Sequence, residues 1–343
     1  MTPATALSGS APALRRTVPA AAWTPSAPPT PDMLEQVACP LCGSDSAEPL
    51  AVAEEDLTGK PGRFTFIRCR ACGLGYQSPR IQERFIGAYY DDDYIAYRRK
   101  SSWGLLTPLY RRAMAKLDRS KAEIVERYRK LGPEDRVLDV GCGAGSFLAH
   151  LRETRGCAIT GVDFKDLSDL PWLEGVEFHR GAFGPAVFQG RRFDLVTMWH
   201  FLEHDYRPLE SLRHARNLLA EDGLLVVEVP NLASLTRRLY GDRWPGLQAP
   251  QHTILLDPDS LHAMVEQAGL EVVDHRRWGA FPAYFYLFAG LAFTLLKGKG
   301  LNLERAILPY FLGQLLLAPA LLFERHLDLA MQTIVCRKRR PMR

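Results

Sequence analysis

Residues 136–145 read RVLDVGCGAG. Val137, Leu138 and Val140 have the character of a short buried strand, which breaks into a turn with glycine at 141, 143 and 145. Glycines at alternate positions let the backbone take tight, left-handed conformations and let a ligand approach to contact distance. A dinucleotide-binding loop, G-x-G-x-x-G, would need glycine where Ser146 stands, and it has no place for Asp139 two residues before the first glycine.

Outward from this loop the pattern alternates strand and helix. Strands are expected at 137–140, 158–162, 176–179, 193–198, 224–229 and 270–274, with helices at 146–154, 208–219 and 259–268 between them. Val- and Leu-rich strands separated by amphipathic helices imply a parallel sheet covered on both faces, a doubly wound Rossmann-like α/β fold. In such a sheet ligands sit beyond the carboxyl ends of the strands, where the winding reverses. If the first strand lies beside the fourth, the 141–145 loop, Asp163 at the tip of the second strand and Trp199 and His200 after the fourth converge on one crevice. Asp163 stands 24 residues after Asp139, near the spacing at which an acid accepts hydrogen bonds from ribose hydroxyls; a helix N-cap is the other reading of such an acid.

Four segments carry a resemblance. The opening loop, [V/L]-L-D-x-G-x-G-x-G, resembles the first motif of class I S-adenosylmethionine (SAM) dependent methyltransferases. FDLVTMWHFLEH (193–204), LAEDGLLVVEVPN (219–231) and Gln251-His252 with Ser260-Leu261 are similar to later elements of the small-molecule, methyltransferase-23-like type. The resemblance covers about 39–279 and the final strand, and it implies a seven-stranded sheet whose last strand, 331–338, is an antiparallel edge. It further implies that Asp139, Gly141, Gly143 and Gly145, with Cys142 and Trp199 beside them, border the methionine part of SAM, that Asp163 holds the ribose and that Phe164 lies against adenine. After the third strand comes Arg180-Gly-Ala-Phe183, without the acid that many relatives place near the base. In-line methyl transfer asks mainly for orientation and for removal of the acceptor's proton. His200, His204 and His252 are the candidate bases, each with a structural role as its alternative, while Glu203 reads as a cap or orienting residue.

The cysteines tell a separate story. Cys39-Pro-Leu-Cys42-Gly43 and Cys69-Arg-Ala-Cys72-Gly73 are two copies of one knuckle, and the strand-forming Phe64-Thr-Phe-Ile-Arg68 leads into the second. Two C-x-x-C pairs present four thiolates to one tetrahedral ion, so a structural zinc ribbon is expected. The ribbon followed by GLGYQSPR (73–80) is also similar to a bacterial methyltransferase subgroup with a zinc-binding N-terminal region, some relatives of which methylate sugar nucleotides or other secondary metabolites.

The 43 Lys and Arg against 39 Asp and Glu give a net charge of +4 over 343 residues, little for a nucleic-acid binder. No base-flipping Asn/Asp-Pro-Pro-Tyr motif follows the fourth strand either. The Ala-, Pro-, Ser- and Thr-rich start, 1–32, reads as a disordered tail without the apolar core of a secretory signal, and a cytoplasmic protein is expected. The run Tyr89-Tyr-Asp-Asp-Asp-Tyr94 reads as a solvated loop.

The expected order is tail 1–32, zinc ribbon 33–78, helical linker 79–132, methyltransferase domain 133–279 with 328–343, and an apolar helical insertion 280–327. The insertion holds two uncharged runs of 17 and 18 residues, 280–296 and 306–323. At about 1.5 Å per residue they reach roughly 26 Å, short of the ~30 Å hydrocarbon core. Contact with the inner face of the cell membrane is the favoured reading, aided by Arg276, Arg277, Arg325 and 337–340. A lid over the acceptor, a homodimer contact and a spanning hairpin are the others. The leading function is methylation at O or C of a small or lipid- or sugar-linked acceptor, with SAM as donor and a structural Zn²⁺. An RNA methyltransferase and a non-catalytic scaffold are its rivals.

Overall fold

The computed structural model describes residues 25–90, 107–165, 176–297, 299–301, 303–321 and 323–339. Residues 1–24 of the expected tail and 91–94 of the tyrosine-acid run lie outside them, as does Arg340. Before the main sheet come β1 (Leu34–Glu35), β2 (Ala47–Glu54), β3 (Arg63–Cys69), β4 (Gly75–Gln77), β5 (Arg80–Ile81), a single turn α1 (Glu83–Ile86) and the long α2 (Thr107–Glu126). Then follow β6 (Arg136–Val140), α3 (Ser146–Arg155), β7 (Ala158–Asp163), β8 (Glu177–Arg180), β9 (Phe193–Trp199), α4 (Pro208–Leu218) and β10 (Leu219–Pro230). The chain continues through α5 (Leu235–Tyr240), β11 (Ile254–Leu255), α6 (Pro258–Gln267), β12 (Leu270–Arg276), α7 (Ala283–Leu296), α8 (Leu303–Leu321) and β13 (Met331–Lys338).

The main sheet has seven strands in the order β12-β13-β10-β9-β6-β7-β8. β6 pairs in parallel with β9 on one side and β7 on the other, so the winding reverses at the tip of β6, as the strand pattern implied. One expectation needs correction. β13 is antiparallel to both neighbours, but it is inserted between β10 and β12 and the edge strands are β12 and β8. Its residues explain this: Met331 to Cys336 are all buried, which an edge strand with one solvated flank does not require. β10 also begins earlier than expected, at Leu219, because a register irregularity between Leu219 and Leu224 absorbs the Ala-Glu-Asp-Gly turn chemistry within the strand.

The ribbon is not a separate bead. β2, β3 and β4 form a sheet whose fourth strand, β11, comes from the main α/β domain. Cys39, Leu41, Cys69, Leu74 and Tyr76 share one core cluster with Leu138, Val196 and Leu225 of the main sheet. In the insertion, α7 buries Ala283, Tyr286, Ala289 and Phe293 but leaves Leu291 and Leu295 exposed. α8 runs on through Pro309 and Pro319, each of which removes one backbone donor without ending the helix. Among the described residues no helix is long and apolar enough to cross a membrane.

Candidate active site

One cavity of about 750 Å³ opens at the carboxyl ends of β6, β7 and β9. At its first end the chain leaves β6 through Gly141 at φ 70° and Gly143 at φ 51°. These angles disfavour any residue with a Cβ, and a Cβ on Gly141 would also stand 2.8 Å from the Phe201 ring. Gly141 N–H donates to Val162 O at 2.8 Å and Gly143 N–H to Asp163 Oδ2 at 3.0 Å, so the loop is pinned to the tip of β7. Asp163 Oδ1 accepts from the Lys165 amide at 3.0 Å. The buried aspartate therefore shapes the glycine loop as well as lining the cavity. Phe164 is half-exposed and packs edge-on to Tyr90, with ring centroids 5.2 Å apart.

Gly141, Cys142, Gly143, Asp163, Phe164 and Trp199 reach the cavity wall; Asp139 and Gly145 do not. Gly145 is the N-cap of α3, and Asp139 lies behind the loop, where its Oδ1 accepts from the Thr197 hydroxyl at 2.6 Å. Burial pushes the Asp139 carboxyl up to about 6, against the pull of Lys121 and the Thr197 bond. Lys121, Tyr110, Met114 and Leu117 of α2 line the cavity as well. Read as a linker, that helix is in fact a wall of the site; its amphipathic face was visible, but what the face meets was not.

The opposite end is assembled around the 3₁₀ turn Leu202–His204. His200, at φ 55°, sets its Nδ1 3.3 Å from Glu203 Oε1 and its Nε2 3.3 Å from Glu228 Oε1. Burial alone would lower its pKa, but the two carboxylates outweigh it and hold the imidazolium to about 9. Glu228 also accepts from the amides of Ala280 at 2.6 Å and Phe281 at 3.0 Å, fastening the base of the insertion to β10. This residue was missed; an acid inside the buried run Leu-Leu-Val-Val-Glu-Val was the available signal. His204 Nδ1 lies 2.9 Å from the Tyr90 hydroxyl and 3.1 Å from Gln251 O. His252 Nδ1 lies 2.8 Å from Gly246 O, and its ring meets that of His204 edge-on at 4.5 Å. Desolvation lowers both, His252 to about 3, so these two imidazoles are neutral where His200 is charged. Phe281, Phe285 and Tyr286, from the insertion, and Trp244 give this end aromatic walls.

The four knuckle cysteines gather their sulfurs within 4.8 Å of one another, with Cys39 and Cys72 at 3.4 Å and Cys42 and Cys69 at 3.5 Å. Gly43 and Gly73, at φ 75° and 79°, close the two knuckles. Four thiolates at these separations fit one tetrahedral Zn²⁺, and such a closed set holds structure rather than substrate. The centre supports the cavity at one remove. Gln77 of β4 donates through Nε2 to His252 O at 3.2 Å, and its amide donates to Thr253 O at 2.9 Å.

Residues 110–275 match the family model described as "Methyltransferase domain". Over 155 residues the chain is 30% identical to a ubiquinone biosynthesis O-methyltransferase of Ruegeria sp. (strain TM1040), covering 41% of this chain and 62% of that protein. A relative of the same description from Ruegeria pomeroyi is 29% identical over 193 residues, covering 50% and 77%. The chain thus spans about three-fifths of the first of these relatives. Among solved structures, a coclaurine N-methyltransferase bound to N-methylheliamine and SAH aligns with a TM-score of 0.41 and 18% identity, over 66% of this chain and 70% of that one. Residues 110–275 are a class I methyltransferase domain, of the family whose methyl donor is SAM.

Proposed function

We propose that the protein transfers a methyl group from SAM to an oxygen of an apolar, small or lipid-linked acceptor. One observation carries this reading: a single cavity has the glycine loop and Asp163 at one end and, at the other, neutral histidines between aromatic walls. The relatives named for O-methylation in ubiquinone biosynthesis support oxygen as the receiving atom. When bound, SAM supplies an electrophilic methyl on a sulfonium centre. Gly141, Cys142 and Gly143 would hold its amino-acid part, with Asp163 on the ribose and Phe164 against the base; Asp139 acts from behind the loop.

The acceptor's proton must leave, and the three histidines differ in their fitness for that. His200 is already charged and serves to position Glu203 and Glu228. His252 is buried, with Nδ1 on a carbonyl. His204 remains, with Gln251 O and Tyr90 fixing Nδ1 and leaving Nε2 to take a proton. The insertion supports the apolar character of the acceptor: Phe281 and Phe285 wall the cavity, while Leu295, Leu308, Leu315 and Leu316 stand exposed on the same hairpin beside Lys297 and Lys299. A helix pair of this kind lies along an anionic membrane surface rather than through it.

The test uses the full chain: calorimetry with SAM, then mass spectrometry after incubation with phenols carrying or lacking an isoprenoid tail, with and without anionic vesicles. Tight SAM binding and a product one methyl heavier, favoured by the tail and by vesicles, are expected. Absence of SAM binding in the folded protein would overturn the reading. Indifference to tail and vesicles would overturn its lipid part.

A further inference from the structure

The acceptor end holds a set of ligating side chains that a single base does not account for. Glu203, His204 and His252 each offer one ligand atom, all within 4.8 Å of one another, and Glu203 and His252 are buried. Neither carboxylate oxygen of Glu203 has a hydrogen-bond partner among the described residues, and its near charged neighbour is the His200 ring at 3.3 Å. The His200 ring, even counted as a cation, stands between two buried carboxylates, Glu203 and Glu228, at 3.3 Å from each, so one positive charge faces two negative ones and the site is one cation short. Each histidine keeps Nδ1 against a backbone carbonyl, Gln251 O for His204 and Gly246 O for His252. That bond fixes the tautomer and leaves the Nε2 lone pair outward, which is how metal-binding imidazoles are oriented. A lone proton acceptor at His204 needs neither the bare carboxylate nor a second neutral imidazole against its ring.

We propose that Glu203, His204 and His252 bind one first-row divalent cation in the acceptor half of the cavity, with its open positions turned toward the acceptor's oxygen. Two imidazoles and one carboxylate leave two or three positions free on such an ion, in contrast to the closed cysteine set. Ligand atoms bonded at about 2.1 Å to one ion stand roughly 3–3.5 Å apart, so small side-chain rotations complete the site. The site's role rests on the methyl-transfer reading: an ion held there would acidify an acceptor hydroxyl, whose proton would leave to water when His204 Nε2 is taken as a ligand and to His204 when the site is empty. The cation site itself does not depend on that reading.

The test is expression of the full chain in Co²⁺-supplemented minimal medium, so that the cysteine centre is never emptied, then Co²⁺ titration with absorption spectroscopy and metal analysis, with SAM affinity measured on the same samples. Two ions per chain are expected, one with the thiolate charge-transfer band of the cysteine centre and one with the weaker bands of a nitrogen and oxygen site. Glu203→Gln, nearly the same shape, and His252→Gln should each weaken the second ion at least tenfold and keep the thiolate band and SAM binding, which report an intact fold. A second ion undiminished in both variants, or a stoichiometry of one in a chain that binds SAM, would sink the proposal. Two ions with the expected losses in a chain that does not bind SAM would leave the site standing and remove the methyl-transfer role.

Discussion

At one end of the cavity, Gly141, Cys142 and Gly143 are consecutive, and the partner they need, Asp163, is one strand away. At the other end, Tyr90, His204, His252 and Phe281, with Glu228 behind His200, come from five segments: the stretch before α2, the turn after β9, the turn before β11, the base of the insertion, and β10. The first end is held by backbone conformation and a few short hydrogen bonds within the sheet. The second is held by tertiary contacts with the ribbon and the apolar hairpin. In a chain that stays folded, donor binding should therefore be robust to distant change and fragile to local change, and acceptor handling the reverse.

The largest effect should come from the ribbon. Structural zinc contributes about 10–16 kcal/mol in small zinc domains, comparable with the whole net stability of a typical domain at about 5–15 kcal/mol. Cys39 and Cys69 are buried in the same core cluster as β6 and β9. Cys39→Ser should release the metal and abolish the cooperative thermal transition, removing both ends together. An unchanged midpoint in a metal-free variant, by scanning calorimetry with metal analysis, would show that the ribbon supports neither.

Next in size is the local change at the donor end. Valine at position 143 must adopt φ near 51°, where a β-branched side chain is strained by about 1–3 kcal/mol, and the loop's bond to Asp163 is disturbed. Gly143→Val is expected to weaken SAM about 100-fold, or about 2.7 kcal/mol, while the strain lowers the unfolding midpoint by only a few degrees and leaves the transition cooperative. Asp163→Ala should act in the same direction. Calorimetry showing wild-type donor affinity in both would break the comparison at its firmer end.

A smaller loss is expected from Tyr90→Phe, which deletes one hydrogen bond to His204 Nδ1. Tyr90 is a positioning residue here, so kcat should fall about tenfold with SAM affinity and acceptor KM unchanged, in line with one bond of about 1–1.5 kcal/mol. A fall in SAM affinity instead would mean that the two ends are not separable.

The same asymmetry decided what could be read in advance. The glycine turn and the cysteine knuckles follow from local patterns whose physics is contained in a few consecutive residues, and the pairing of β6 with β9, offered only as a condition, follows from the alternation of strands and helices. The position of β13 inside the sheet did not, because Met331–Lys338 is apolar enough for either an edge or an interior place and only its partners decide. β11 was overlooked because two residues carry no period, although they tie the ribbon to the main domain. The contrast between a charged His200 and a neutral His204 depends on Glu228, which lies 28 residues beyond His200 and meets it only through the fold.

Asp139 offers the finest test, since the donor end stores an unfavourable charge there. Burial, the main cause, pushes its folded carboxyl up to about 6, above the ordinary carboxylate range. Between roughly pH 4 and 6 the folded state keeps a proton that the unfolded chain releases, so stability falls as pH rises through that window. The shift corresponds to a penalty on the order of 3 kcal/mol at neutral pH. Asparagine removes the charge, can still accept from Thr197, and forfeits the attraction of Lys121. Asp139→Asn should thus raise stability by a net ~1 kcal/mol in urea unfolding at pH 7, with the gain fading below about pH 4, where wild type is protonated as well. SAM affinity should drop in the same variant, because the carboxylate behind the loop favours a cationic ligand in front of it. A variant less stable than wild type at pH 7, or one whose advantage persists unchanged in acid, would show that Asp139 is a structural acid and that the donor end carries no stored cost.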